Sequence, residues 1–181
     1  MEPAVTLRSA GLDDVLMLRH WDRQPHVVAA HSDDPANYDP QDDWDWATEI
    51  PRVLDWRELL VAEANGRPVG VVQIIDPARE ETHYWGDVPE GLRALDIWIG
   101  EADDLGRGYG AETMRLALAR CFAPPEVTAV IIDPLASNVR AIRLYERLGF
   151  RFVERRRFEG DDCAVYRLER TDHLPLREDL R

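Results

Sequence analysis

Lysine is absent from this chain; all 22 basic residues are arginine. A P-loop needs a lysine after its glycines, so that phosphate-binding device is excluded. Cysteine is scarce as well. Cys121 and Cys163 stand far apart with no metal-ligand spacing, and they read as reduced thiols in a cytoplasm, with no metal expected. No apolar run approaches the roughly 18 residues of a membrane span. The opening residues, MEPAVTLRSAGLDD, lack both a basic n-region and an apolar h-region, so secretion is not expected. Positive charge is in short supply: the formal net charge is −13. Phosphate binding needs a basic face, which argues against nucleic acid as a partner.

What is present suits one domain. At 181 residues, 45% hydrophobic and 31% charged, the chain can bury a proper core. Residues 4–10 read as a strand, and 13–23 as a helix with an apolar stripe of Val15, Leu16, Leu18 and Trp21. Residues 24–38 hold Pro25 and Pro35 and read as a loop with room for a short helix; 43–54 read as a second helix. Runs at 59–63 and 69–76 flank Asn65-Gly66 as a hairpin. Residues 77–94 make a loop too long for a mere connector, carrying Tyr84 and Trp85. A closing hairpin is expected from 150–158 and 163–168. The charged tail from Glu169 is open to docking, fraying or dimer formation.

The densest signal runs from Leu95 to Phe150. It holds an apolar strand (LDIWIG, 95–100), then the loop LGRGYG (105–110) leading into a helix to Phe122. A strand over 127–132 follows, then an Asp-Pro break and a helix entered through Ser137-Asn138 and closed at Gly149. Glycines at 106, 108 and 110 let the backbone approach a ligand, and the helix behind them presents unpaired N–H groups that suit a phosphate. By itself such a loop is equally an ordinary strand-to-helix turn, and its spacing differs from the Rossmann pattern.

The order of these pieces, with the loop L-G-R-G-Y-G, the turn D-P-x-x-S-N and the helix V-R-A-I-R-L-Y-E-R-L-G-F, resembles the acetyl-CoA core of the GNAT N-acetyltransferases. Within that superfamily the chain is most similar to the aminoglycoside 6'-N-acetyltransferases. The likeness covers about residues 58–168 and is dense from Asp96 onwards. It implies an α/β (α+β) fold with a mixed, largely antiparallel twisted sheet, splayed at the acetyl-CoA strand and flanked by helices. The whole chain, 1–181, would be one such domain, with substrate-side helices in 1–57, the core in 58–168 and a tail in 169–181. Acetyl-CoA is the implied donor. The resemblance places it on Ile97, Trp98 and Ile99, on Leu105, Gly106, Arg107, Gly108, Tyr109, Gly110 and Ala111, and on Asn138 and Ala141. It places the acceptor, a small polycationic amine such as an aminoglycoside, on Tyr84, Trp85, Asp96 and Asp133. Leu105 stands where the wider superfamily commonly has Gln or Arg, which leaves a backbone cradle without that side chain.

The same resemblance makes Asp96 the catalytic carboxylate and Tyr145 the proton donor to the leaving thiolate. The chemistry needs such groups, because an amine of lysine-like pKa arrives as ammonium and only its neutral form attacks a thioester. Read from the residues alone, Asp96 can equally be a solvent-facing side chain and Asp133 a turn-former before Pro134. Tyr145 can equally be a core ring with its hydroxyl at the rim. Asp33, Asp34, Asp39, Asp42, Asp43, Asp45 and Glu49 fall between Arg23 and Arg52 without an intervening arginine. That run is either a solvated surface or an acidic wall that attracts a polycation. A lysine or hydroxylysine acyltransferase of siderophore type, and an acyl-CoA-binding module without turnover, are the alternatives. A monomer or a homodimer fits equally well.

Overall fold

The computed structural model describes residues 4–34, 38 and 44–173. Seven strands form one sheet: β1 (Val5–Ser9), β2 (Arg57–Ala64), β3 (Arg67–Ile75), β4 (Leu92–Ile99), β5 (Ala129–Ile132), β6 (Arg151–Phe158) and β7 (Asp161–Glu169). Their order across the sheet is β1-β2-β3-β4-β5-β7-β6. Every neighbouring pair is antiparallel except β4 and β5. This mixed, splayed sheet with flanking helices is the architecture the family resemblance implied.

The β4–β5 pair is the feature that makes a site. β5 pairs with β4 only over Leu92–Ala94, opposite Ala129–Ile131. Beyond that, β4 continues to Ile99 against β3 alone. β5 stops at Ile132 because Asp133-Pro134 follows, and proline has no N–H for a ladder. The two strands therefore part, and β4 carries open peptide groups on one edge.

Alternation sorts the side chains of these strands onto two faces. Leu95 and Ile97 of β4, Val72 and Ile74 of β3 and Val130 and Ile132 of β5 face a core shared with α4 (Tyr109–Cys121) and α5 (Val139–Arg147). Leu92 and Ala94 face the opposite side, where Trp85, Ile131, Phe158 and Val165 pack. On that side, farther along β4, Trp98 packs with Trp21 of α1 (Val15–Trp21) and Trp46 of α3 (Trp46–Glu49).

Several sequence boundaries shift. Residues 25–31 form a full helix, α2 (Pro25–His31), because Pro25 at its first turn pre-sets φ and donates nothing there in any case. The helix expected over 43–54 is only the four residues of α3, cut short where Pro51 removes an N–H. β4 begins at Leu92 instead of 95, so the loop before it ends at Gly91. The hairpin around Asn65-Gly66 is present, with both turn residues at positive φ.

Candidate active site

Two cavities flank the splayed end of β4, and Trp98 lines both. The first, of about 630 Å³, is walled by β4, the glycine loop, α5 and α2. Gly106 (φ +80°) and Gly108 (φ +87°) hold conformations that side chains resist, and they turn the chain into α4. Gly108 caps that helix without a side-chain hydrogen bond, so the first-turn amides remain to face a ligand. A Cβ on Gly110 would point at Ile99 and Leu144, 3.8 and 3.9 Å away on the cavity wall. The loop is thus a backbone cradle at the positive end of a 13-residue helix, which suits a phosphate-bearing ligand.

One carboxylate stands in that cavity wall. Asp104 is buried, and the Arg67 guanidinium clamps both its oxygens at 2.7 Å. The arginine holds the Asp104 carboxyl below the usual carboxylate range and offsets its charge beside the cradle. Arg67→Ala is expected to raise the KM for acetyl-CoA about tenfold, a loss of about 1.4 kcal/mol. Adding Asp104→Asn in the same chain should recover most of that loss.

The second cavity, of about 660 Å³, lies on the opposite face and is rich in carboxyls. Asp96 rises from β4 on the Trp98 side, with Gln73 of β3 directly across the strand pair. Asp133, one residue past β5, lines the same space. The phenol of Tyr84 donates to Asp133 Oδ2 at 2.7 Å, and its ring stacks on Phe158 at 4.6 Å. Asp96 is reachable through the chamber but enclosed by protein, and this desolvation pushes its carboxyl up; the nearby His31 works the other way. Desolvation and the charge of Asp96 push Asp133 up to about 7, against the hydrogen bond from Tyr84. Glu80 departs in the opposite sense: burial opposes its charge, yet the N–H groups of Thr82 and Tyr84 donate to it and lower it.

Tyr145 lies on α5 and lines the donor-side cavity together with Asn138, seven residues earlier. Its ring is buried. Desolvation first, then the charges of Asp96 and Asp133, raise the phenol above its ordinary value, so it stays protonated. Asn138 Oδ1 accepts from the Ala141 N–H at 3.2 Å and caps α5, which leaves its amide N–H₂ to donate.

Most residues singled out in the sequence meet here. Ile97, Trp98, Ile99, Leu105, Gly106, Gly108, Gly110, Ala111, Asn138, Ala141 and Tyr145 line the first cavity; Tyr84, Trp85, Asp96 and Asp133 line the second. Two members of the loop do not point inward. The Tyr109 ring packs beside Leu116 against the β1–β3 end of the sheet, and Arg107 is exposed at the rim. Trp85 is 6% exposed and sits mainly in the core with Phe158.

The acidic run also differs from a free wall. Its described members are engaged: Arg19 binds Asp45, Arg52 and Arg57 bind Glu49, and Asp33 meets Ser137 and Asp161. Asp39, Asp42 and Asp43 lie outside the described residues. Glu49 of the run also lines the chamber, and the other carboxyls there, Asp22, Glu80, Glu81, Asp96, Asp133 and Glu159, are gathered from five separate segments. Sequence spacing carries no signal for such a gathering. His26, His31, Gln73 and Arg140 also line the two cavities and were missed for the same reason.

The chain has relatives of known family. A family model described as an acetyltransferase (GNAT) domain matches residues 11–158. An aminoglycoside N(6')-acetyltransferase type 1 of Klebsiella pneumoniae is 32% identical over 153 residues, covering 81% of this chain and 74% of that protein. The lysine N-acyltransferase MbtK of Mycolicibacterium paratuberculosis is 28% identical over 183 residues, covering 93% and 75%. The crystal structure of aminoglycoside acetyltransferase AAC(6')-Ib with coenzyme A and kanamycin superimposes with a TM-score of 0.78 at 27% identity, covering 93% of this chain and 96% of that one. The chain therefore belongs to the GNAT acetyltransferase family, as an acyltransferase that uses acetyl-CoA.

Proposed function

We propose that this enzyme acetylates a primary amine of a small polycation, the 6'-amine of an aminoglycoside. The observation that carries the reading is the pair Asp96 and Asp133. They line one acidic chamber that shares a wall, Trp98, with the glycine-loop cavity. Similarity to proteins named aminoglycoside N(6')-acetyltransferase supports the substrate class.

Acetyl-CoA supplies a thioester whose carbonyl carbon is attacked and whose thiolate leaves. The chain's own residues do the rest. The amides of Gly108, Gly110 and Ala111 hold phosphate at the start of α4. The β4 edge opened by the splay offers the N–H groups of Ile97 and Ile99 to a carbonyl oxygen. Asp96 and Asp133 hold the acceptor as ammonium; Asp96 takes one proton to free the attacking lone pair, and the second proton leaving nitrogen as the amide forms neutralises the departing thiolate. A raised carboxyl is the better base for that task. Tyr145 remains a phenol and donates a hydrogen bond to the departing sulfur. The Tyr84 ring, fixed by Phe158 and Asp133, covers one flank of the acceptor.

A thiol-release assay tests the reading with kanamycin, a 6'-hydroxyl aminoglycoside, spermidine and N-hydroxylysine as acceptors. Turnover with kanamycin, and none with the 6'-hydroxyl analogue, is the expected result. Turnover confined to N-hydroxylysine would replace the aminoglycoside by the siderophore-type acceptor and leave the acyl-transfer chemistry in place.

A further inference from the structure

His26 has no part in the chemistry above, yet it touches the strand that carries it. It sits in the first turn of α2 and lines the donor-side cavity with Val27, Ala29 and Ala30. Its Nε2 lies 2.8 Å from the carbonyl oxygen of Ile99, the last residue of β4. A carbonyl only accepts, so this nitrogen must carry the hydrogen. The hydrogen bond therefore fixes the imidazole as an Nε2–H donor.

The position of that carbonyl gives the contact its meaning. The next residue, Gly100, donates its N–H to Val69 on the β3 side at 3.0 Å. Peptide groups alternate along a strand, so the groups of Ile97 and Ile99 point to the other edge, into the splay. β5 pairs with β4 only as far as Ala94 and cannot satisfy them. A bare strand edge is free to shift, and a bare carbonyl there sets a negative dipole beside the amides that must meet a carbonyl oxygen. One hydrogen bond from α2 corrects both defects. It pins the strand end from the helix side, and it masks the Ile99 oxygen while leaving the Ile97 and Ile99 N–H groups open. Val27, the next residue of α2, is fully buried, so the imidazole is held on a fixed support.

We infer that His26 is a positioning residue for the acyl donor, setting the splayed edge of β4 through the Ile99 carbonyl. The role rests on acetyl-CoA as donor and is independent of which amine is acetylated. Binding of coenzyme A, measured by calorimetry with no acceptor present, tests it directly. His26→Phe keeps the ring volume and removes the donor; His26→Gln keeps a donor near the same place. Loss of one hydrogen bond of this kind is expected to weaken coenzyme A binding in His26→Phe by about tenfold. Saturating kcat should fall alongside, while His26→Gln keeps most of both. Three results would overturn the inference: coenzyme A affinity in His26→Phe equal to that of the native chain, Gln and Phe variants equally impaired, or the Phe variant less impaired than the Gln one. The last two would assign His26 to packing. Failure on every aminoglycoside would leave this binding experiment untouched, so the two readings fail separately.

Discussion

Asp96→Asn is expected to lower kcat/KM by about 10²- to 10⁴-fold, the range for loss of a general base. The substitution keeps the shape and removes the charge. Among the described residues no side chain donates a hydrogen bond to the Asp96 carboxylate, and the nearby His31 is what favours its charge. Desolvation by the chamber walls already penalises that charge, and a neutral amide there should leave thermal stability at pH 8 equal or higher. An inactive variant that is no less stable separates a chemical role from a structural one. The division of the loss carries a second answer. A fall in kcat with coenzyme A binding unchanged assigns Asp96 to proton removal, whereas a loss confined to the acceptor KM makes it only a cation anchor. A loss below about threefold would take Asp96 out of the mechanism.

The reason Asp96 stood out in the sequence is that a strand has two faces. In LDIWI, Leu95, Ile97 and Ile99 alternate with Asp96 and Trp98, and an acid among apolar residues asks what its face opens onto. The glycine loop, the Asn65-Gly66 hairpin and the Asn138 cap were legible for local reasons: each needs particular residues at fixed offsets. The course of α2 was harder, since Pro25 reads equally as a loop marker and as a first-turn residue. What could not be read is what only tertiary packing decides. Arg57 lies across the rings of Trp44 and Trp56 and binds Glu49, and Arg52 bridges Glu49 to Glu81. Those arginines follow the acidic run in sequence, and pairing across a fold has no spacing rule. Asp22, Glu80, Glu81 and Glu159, by contrast, carried no local clue that they converge with Glu49, Asp96 and Asp133 on one chamber.

Asp133→Asn should alter both binding and stability, in opposite directions. Desolvation and the charge of Asp96 push the Asp133 carboxyl up to about 7, from 3.8 for an ordinary aspartate. The folded protein therefore keeps a proton that the unfolded chain releases, and stability falls as pH rises from about 4 to about 7. Above that window the full cost is present, at about 1.4 kcal/mol for each unit of the shift. Asparagine abolishes it, so the variant is expected to melt higher than the native chain at pH 8 and alike at pH 4. Acceptor binding should respond the other way. An ammonium beside Asp133 returns to the ionised carboxylate the solvation that burial removed, and drives its pKa back down. Removing a charge-assisted hydrogen bond of about 1.5–3 kcal/mol should raise the acceptor KM by about 10- to 100-fold. In the native enzyme that KM should drop as pH rises through about 7, and in Asp133→Asn this pH limb should vanish. Thermal melts at the two pH values, with the acceptor KM across the same range, check both halves. A variant less stable at pH 8 would mean that the Tyr84 hydrogen bond to Asp133 outweighs the cost of the buried charge. An ionised carboxyl held poorly solvated until a cation arrives ties affinity to the charge of the acceptor, and that link is what this aspartate contributes to selection.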